Sequence, residues 1–324
     1  MYGRNAEKAK AFAKTHNIPR WYSDMDTLLK ETPSDLADIC LPNYLHHAAC
    51  MKVLTHNNHV IIEKPLAMNL EEADEMISTA RKKNLKLMYA EELCFAPKYE
   101  RARTLVKTGA VGKVYMLKQG EKHSGPHSEW FYKKGTAGGG VMMDMGCHGI
   151  AWFRWMTGNN SVKSVYADMK TVMHKIDCED NAVSIVEFEG GVIGVAENSW
   201  AKQGGMDDRV EIYGDKGVIY ADLFKGNSMT TYSLEGYDYA SEKAGSSQGW
   251  TFTIFEEAFN QGYPQELQAF VRRVRDGSPP VTGDDGRAVL EILCAAYASA
   301  GRDKKTCLPF TPRVKYPIEL LLKQ

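Results

Sequence analysis

Three short stretches of this sequence carry residue types that can do chemistry. The first is Glu63-Lys64-Pro65, directly behind the apolar run Val60-Ile61-Ile62. If that run is a buried parallel strand, Lys64 stands at its carboxyl end, where open α/β sheets bind their ligands. A lysine there can hydrogen-bond a substrate hydroxyl, supply positive charge as an alkoxide develops, or move a proton once desolvation shifts its pKa. The same position also suits a solvated lysine after a strand. The second stretch is Asp144-Met145-Gly146-Cys147-His148, behind the triplet Gly138-Gly139-Gly140. Asp144 and His148 are four apart, so a helix would set them on one face within hydrogen-bonding reach. An aspartate holding an imidazole fixes its tautomer and stabilises the imidazolium, which makes a competent base near neutral pH. A capping or surface pair is the plainer alternative, although the three glycines allow close backbone approach to a ligand. The third stretch runs from Glu121 to Trp130 and is dense in polar and aromatic groups. It suits either a sugar pocket, with Trp130 or Phe131 stacking on a pyranose face, or a surface loop. His123, His127 and Glu129 are near neighbours, but their spacing fits no strong metal pattern and no metal is expected.

Other signals are weaker. Among His46, His47, His56 and His59, only His46 stands out, because it follows Pro42-Asn43 at a strand end. There is no Ser nucleophile elbow and no P-loop, and no glycine cluster satisfies G-x-G-x-x-G between a strand and a helix. Seven cysteines are scattered without a C-x-x-C pair, which reads as reduced thiols buried as small apolar residues.

These residues need elements to position them. Asn5 to His16 reads as a helix capped by Asn5, and Leu36 to Leu41 as a buried strand stopped by Pro42-Asn43. A helix over His46 to Asn57, the strand Val60-Ile61-Ile62, a helix over Leu70 to Lys83 and a strand over Leu85 to Ala90 follow. That order is the signature of a doubly wound parallel sheet. Beyond Pro97 come a helix from Tyr99 to Thr108, a strand from Lys113, the glycine turn and a helix through Trp155. Alternating segments then begin at Val162, Ala182, Val192, Arg209, Val218 and Met229, separated by turn residues such as Gly214-Asp215-Lys216-Gly217, and imply an antiparallel sheet. Gly236 to Gly262 reads as a long excursion over a site or a partner. Two helical stretches, Gln265 to Arg275 and Arg287 to Ala300, close the chain.

The composition limits what the whole can be. At 324 residues the chain holds about two domains of ordinary size. Lys plus Arg number 40 against 41 for Asp plus Glu, a net charge of -1, so neither nucleic acid nor an anionic membrane is an expected partner. No apolar run approaches the roughly 20 residues of a membrane helix. The amino terminus has no signal-peptide core, so a cytoplasmic enzyme or binding protein acting on a small neutral molecule is expected.

Taken together, Leu41-Pro42-Asn43 with His46, Glu63-Lys64-Pro65-Leu66, Gly138-Gly139-Gly140 with Asp144 and His148, and Gly214-Asp215-Lys216-Gly217 resemble the Gfo/Idh/MocA family of NAD(P)-dependent sugar oxidoreductases. The resemblance spans nearly the whole chain. It implies an incomplete Rossmann-type parallel-sheet domain over residues 1–93, then a substrate-binding and oligomerising α/β domain with a large open antiparallel sheet over 94–324. It also implies that Lys64, Asp144 and His148 form the catalytic set. His148, held by Asp144 and helped by Lys64, would remove a hydroxyl proton while hydride leaves for NAD or NADP. Family cofactor contacts fall on Pro42, Asn43, His46 and Glu63, and sugar contacts on Lys122, His123 and Trp130. The free face of the sheet implies a homo-oligomer, a dimer or tetramer.

Two departures accompany the resemblance. Family members begin with a strand, a glycine-rich turn, a helix and a second strand, roughly 35 residues that do not precede Met1 here, and the loss of the first strand should leave strand edges uncovered. Gly3 sits where an acidic residue would bind the ribose, with Arg4 beside it, which favours NADP. The other departure is Glu92-Leu93-Cys94, where members frequently carry asparagine and arginine. Two alternatives remain beside the dehydrogenase: a sugar-binding or regulatory protein of this family that no longer binds dinucleotide, and a glycosidase that borrows nicotinamide redox chemistry on the same fold.

Overall fold

The computed structural model describes residues 1–126, 128–224, 229–233, 249–253, 257–277 and 280–322. His127 and most of the Gly236 to Gly262 excursion lie outside the described residues. The elements are α1 (Ala6–Thr15), α2 (Met25–Glu31), β1 (Leu36–Ile39), α3 (His46–Thr55), β2 (His59–Ile62), α4 (Leu70–Lys82), β3 (Leu87–Tyr89), α5 (Pro97–Lys107), β4 (Val114–Lys122), α6 (Lys134–Ala137) and α7 (Cys147–Met156). They continue with β5 (Val162–Lys170), β6 (Asn181–Phe188), β7 (Ile193–Ser199), β8 (Asp207–Gly214), β9 (Gly217–Asp222), β10 (Met229–Ser233), β11 (Gly249–Thr253), α8 (Glu257–Gln261), α9 (Tyr263–Asp276), α10 (Gly283–Arg302), β12 (Thr306–Cys307) and α11 (Glu319–Leu322).

Local chemistry sets the helix starts. The Asn5 side chain accepts from Lys8 N at 3.0 Å, and Asn69 does the same for Glu72 N at 2.9 Å, each satisfying a first-turn amide that has no partner within its helix. In α4 the acidic residues Glu71 and Glu72 lead and the basic Arg81 and Lys82 close, matching the helix dipole. Helix α2 was not expected. Asp24 caps it, accepting from Thr27 N at 2.7 Å, but its seven residues are too few to display a helical period.

Strands β1, β2 and β3 form a parallel sheet in that order, with α3 and α4 as crossovers. β2 and β3 are almost wholly buried, as a sheet covered on both faces requires. The open edge of β1 borders a groove of about 370 Å³ lined by Tyr2, Leu29, Leu36, Ile39 and Val53, among others.

The second sheet has seven strands in the order β12-β5-β6-β7-β4-β8-β9. It is mixed rather than wholly antiparallel, because β4 and β7 run parallel at its centre. Alternation is clean in β5: Val165, Ala167 and Met169 face the core, while Tyr166, Asp168 and Lys170 face outward. Helix α10 lies along β5 and also touches α4 and α7, so one core continues from Ile39 to Ile318. Among the described residues no helix is long and apolar enough to cross a membrane.

Candidate active site

The parallel strands deliver their carboxyl ends to a cleft of about 360 Å³ between the two sheets. Cys40, Leu41, Pro42 and Asn43 enter it from the end of β1, Glu63 and Lys64 from β2, and Glu92 from the turn after β3. The far wall is made by Glu121, His123 and Trp130 beyond the core of β4, by Asp144 and His148, and by Tyr263 at the start of α9. Asp144 sits in a π turn, Met142–Gly146, that runs into α7, and such turns are frequent at functional sites.

That turn is held by a buried clamp. Glu179 Oε1 accepts from Gly140 N and Met142 N, both at 3.0 Å, and from the Tyr297 hydroxyl at 2.6 Å. Gly140 is required there, because a Cβ would overlap the Glu179 carbonyl. Burial pushes the Glu179 carboxyl up to about 7.

Lys64 and Asp144 form one pair. The Lys64 ammonium donates to Asp144 Oδ1 at 2.8 Å and to the Asp144 carbonyl at 2.7 Å. Trp200 Nε1 donates to Asp144 Oδ2 at 3.2 Å. Burial alone would push Lys64 down, but the Asp144 carboxylate outweighs it and holds the ammonium well above the usual lysine range. The Asp144 carboxylate thus favours the charged, hydrogen-bond-donating form of Lys64.

His148 does not pair with Asp144, contrary to the four-residue spacing. Its Nδ1 lies 2.7 Å from Glu91 Oε1, and both side chains are almost fully buried. Its Nε2 lies 3.8 Å from Glu92 Oε1. Burial alone would lower His148, yet the Glu91 and then the Glu92 carboxylates hold it well above the ordinary histidine value. Burial also raises Glu91, so the two groups share a proton more tightly than either would alone. Further carboxyls share this environment: burial and then repulsion from Glu92 push Glu63 up to about 7 and Glu266 up to about 10. Glu91, Cys147 and His148 each bring one ligand-type atom within 4.8 Å of the others. Those atoms are already engaged, since the Cys147 thiol donates to Asp144 O at 3.1 Å and burial pushes it up to about 12. Within the trio only Glu91 and His148 are hydrogen-bonded to each other.

The other expected residues divide. Pro42, Asn43, Glu63, His123 and Trp130 line the cleft. Asn43 donates to the Ala137 carbonyl at 2.9 Å, tying the end of β1 to the glycine turn. His123 Nδ1 accepts from Gly125 N at 3.1 Å, and Trp130 stacks on Phe131 at 3.8 Å. His46 lies behind the cleft: its ring nitrogens are 2.9 Å from Pro65 O and 2.7 Å from Leu41 O, so it braces the ends of β1 and β2. Arg4 reaches the Tyr44 hydroxyl at 3.3 Å, outside the cleft lining. Lys122 is outside the cleft lining: it points to the opposite sheet face and pairs with Glu197 at 2.5 Å, because strand alternation turns Glu121 toward the cleft.

The sequence did not single out Glu91 and Glu92 as neighbours of His148. The rule that singled out Lys64 also applies to them, since they directly follow the carboxyl end of β3.

The donor set fits the nicotinamide end of a dinucleotide. The backbone at Leu41 to Asn43 and the side chains of Asn43, Glu63 and Lys64 offer hydrogen-bonding groups at the carboxyl ends of neighbouring parallel strands, where such cofactors bind. Fold and cleft define the class, an NAD-binding oxidoreductase. Residues 1–91 match the family described as "Oxidoreductase family, NAD-binding Rossmann fold", and residues 99–220 match "GFO/IDH/MocA C-terminal domain". The chain belongs to the Gfo/Idh/MocA family and is a dehydrogenase with an NAD-binding Rossmann domain.

Among its relatives, the myo-inositol 2-dehydrogenase of Thermotoga maritima is 28% identical over 287 residues, covering 87% of this chain and 82% of the relative. The D-glucoside 3-dehydrogenase of Escherichia coli is 24% identical over 309 residues, covering 90% and 85%. The crystal structure of GenD2 from gentamicin A biosynthesis, in complex with NAD, superposes with a TM-score of 0.89 at 30% identity, over 95% of this chain and 87% of that one.

Proposed function

We propose that the protein oxidises a CH–OH carbon of a sugar, cyclitol or glycoside, and reduces the corresponding ketone in reverse, with Lys64, Asp144 and His148 as its working set. The observation that carries this reading is the meeting of a charged lysine and a buried, carboxylate-held histidine at the carboxyl end of β2, in a cleft rich in polar groups. Lys64, kept cationic by Asp144, donates to the substrate oxygen and stabilises it as alkoxide character develops. His148 takes the hydroxyl proton at Nε2, the ring nitrogen not committed to Glu91. Trp130 offers an apolar ring face to the carbon skeleton, while His123 and Glu92 meet its hydroxyls. Pro42, Asn43 and Glu63 hold the cofactor, and Arg4 is the residue nearest in role to a contact with a 2'-phosphate. When bound, the nicotinamide supplies the hydride chemistry. The relatives named for myo-inositol and for a D-glucoside support this substrate class. The protein works in the cytoplasm as a homo-oligomer joined through the free face of its seven-stranded sheet, with residues 1–93 on the cofactor side and 94–324 on the substrate side.

Turnover assays with NAD and NADP on myo-inositol, D-glucose and a methyl glucoside test the reading. Reduced nicotinamide should appear with at least one of them. Lys64→Ala and His148→Ala should each lower kcat/KM by about 10²–10⁴-fold. Retained activity in either variant would overturn its role. Failure of both cofactors to bind more tightly than about 100 μM, roughly -5.5 kcal/mol, would overturn the reading as a whole.

A further inference from the structure

We propose that Glu91 is the positioning residue for His148, so that proton handling belongs to a Glu91–His148 pair distinct from the Lys64–Asp144 pair. The proposal deepens the dehydrogenase reading and rests on it. Geometry separates the two pairs. Glu91 Oε1 is 2.7 Å from His148 Nδ1, whereas both Asp144 carboxylate oxygens are held elsewhere, one by Lys64 and the other by Trp200.

Glu91 is itself rigidly placed. The residue before it is locked to β2 through Ala90 N donating to Ile62 O at 2.9 Å. Its own amide donates to Glu266 Oε1 at 2.6 Å, and its carbonyl accepts from Cys94 N at 3.1 Å. The carboxylate therefore reaches His148 from the carboxyl end of β3, behind the cleft wall, while His148 itself lines the cleft. A carboxylate on Nδ1 fixes the tautomer that leaves Nε2 facing the substrate.

The charges around the ring come from every packed element: Glu91 and Glu92 after β3, Glu63 and Lys64 after β2, Glu121 on β4, Asp208 on β8 and Cys147 on its own helix. Lys64 is the one cation in that set and its ammonium is already claimed by Asp144. Glu91, in direct contact, is the carboxylate that dominates the others.

The test is a ¹⁵N NMR titration of the His148 ring in the purified full chain, run beside pH–rate profiles for the wild type, Glu91→Gln and Asp144→Asn. Glu91→Gln keeps a carbonyl acceptor but removes the charge. It should lower the His148 titration midpoint by about one pH unit or more, a tenfold change in proton affinity, and move the pH–rate limb with it. KM should change little. Asp144→Asn should lower kcat and leave the His148 midpoint in place. An unmoved midpoint in Glu91→Gln, or an equal shift in Asp144→Asn, would overturn the proposal. If Glu91→Gln does not fold, the wild-type ring decides. Protonation of both ring nitrogens one unit above the ordinary midpoint of about 6.5 supports the pair, and a neutral ring carrying its proton on Nε2 overturns it. The ring titration needs no turnover. A shift in Glu91→Gln with no activity in any protein would support the pair and overturn the dehydrogenase reading.

Discussion

Lys64 and His148 share a cleft but have opposite electrostatic tasks. In the proposed mechanism Asp144 keeps Lys64 charged in both reaction directions, whereas His148 must lose its proton to act as a base. Because the Glu91 and Glu92 carboxylates raise His148 above the ordinary histidine value, alcohol oxidation by the deprotonated ring is expected to be favoured by alkaline pH. The expected outcome is a kcat/KM for oxidation that climbs about tenfold per pH unit until the raised pKa is passed and then levels, and a ketone reduction that is flat below that pKa and falls above it. Profiles measured in both directions check this, and an oxidation rate that declines from neutral to alkaline pH would contradict it. That Lys64, Asp144 and His148 would meet in one cleft was legible in the sequence because each stands in a short motif at a predictable place. The partner of His148 was not. Glu91 is 57 residues away and reaches it only through the fold, and nothing in a pair of glutamates distinguishes a working carboxylate from a solvated one. Lys122 shows the converse limit, since strand alternation turns it away from the cleft toward Glu197 while its neighbour Glu121 lines the cleft.

At the scale of elements, the same Glu179 that satisfies Gly140 N and Met142 N also sets where the π turn presents Asp144 and starts α7. Glu179→Ala would leave those amides and the Tyr297 hydroxyl buried without their acceptor, at about 1–3 kcal/mol for each group. We expect a loss of several kcal/mol in stability and a lower thermal midpoint, together with a reduced kcat at unchanged cofactor affinity. An unaltered melting curve would show that the clamp does not hold the turn. This device was invisible beforehand because it joins a loop to a residue about 40 positions onward in the chain. Helix boundaries were readable within a few residues, since Asn5, Asn69 and the order of charges in α4 act locally. The parallel pairing of β4 with β7 was not readable. Its two strands are separated by a long stretch of chain, and each alternates equally well beside a parallel or an antiparallel neighbour.

At the scale of the whole molecule, the seven-stranded sheet uses only one of its faces for the core. The other carries Tyr166 on β5, Val183 and Ile185 on β6, Ile193 on β7 and Val218 and Tyr220 on β9, all substantially exposed. Charged pairs such as Lys122 with Glu197 and Lys118 with Glu211 stand among them. A continuous face of mixed apolar and paired charged residues is what a buried interface between copies requires, because monomers rarely leave large apolar patches in water. Val183 and Ile185 are two apart on one strand and so share that face. Replacing both with lysine places two unpaired charges in any interface formed there while leaving the core side of β6 untouched. Light scattering should report a dimer or tetramer for the wild type and a smaller species for the Val183→Lys, Ile185→Lys double variant at the same concentration. A wild-type monomer would remove the oligomer altogether. An oligomer of unchanged mass in the double variant would move the interface to another face of the molecule.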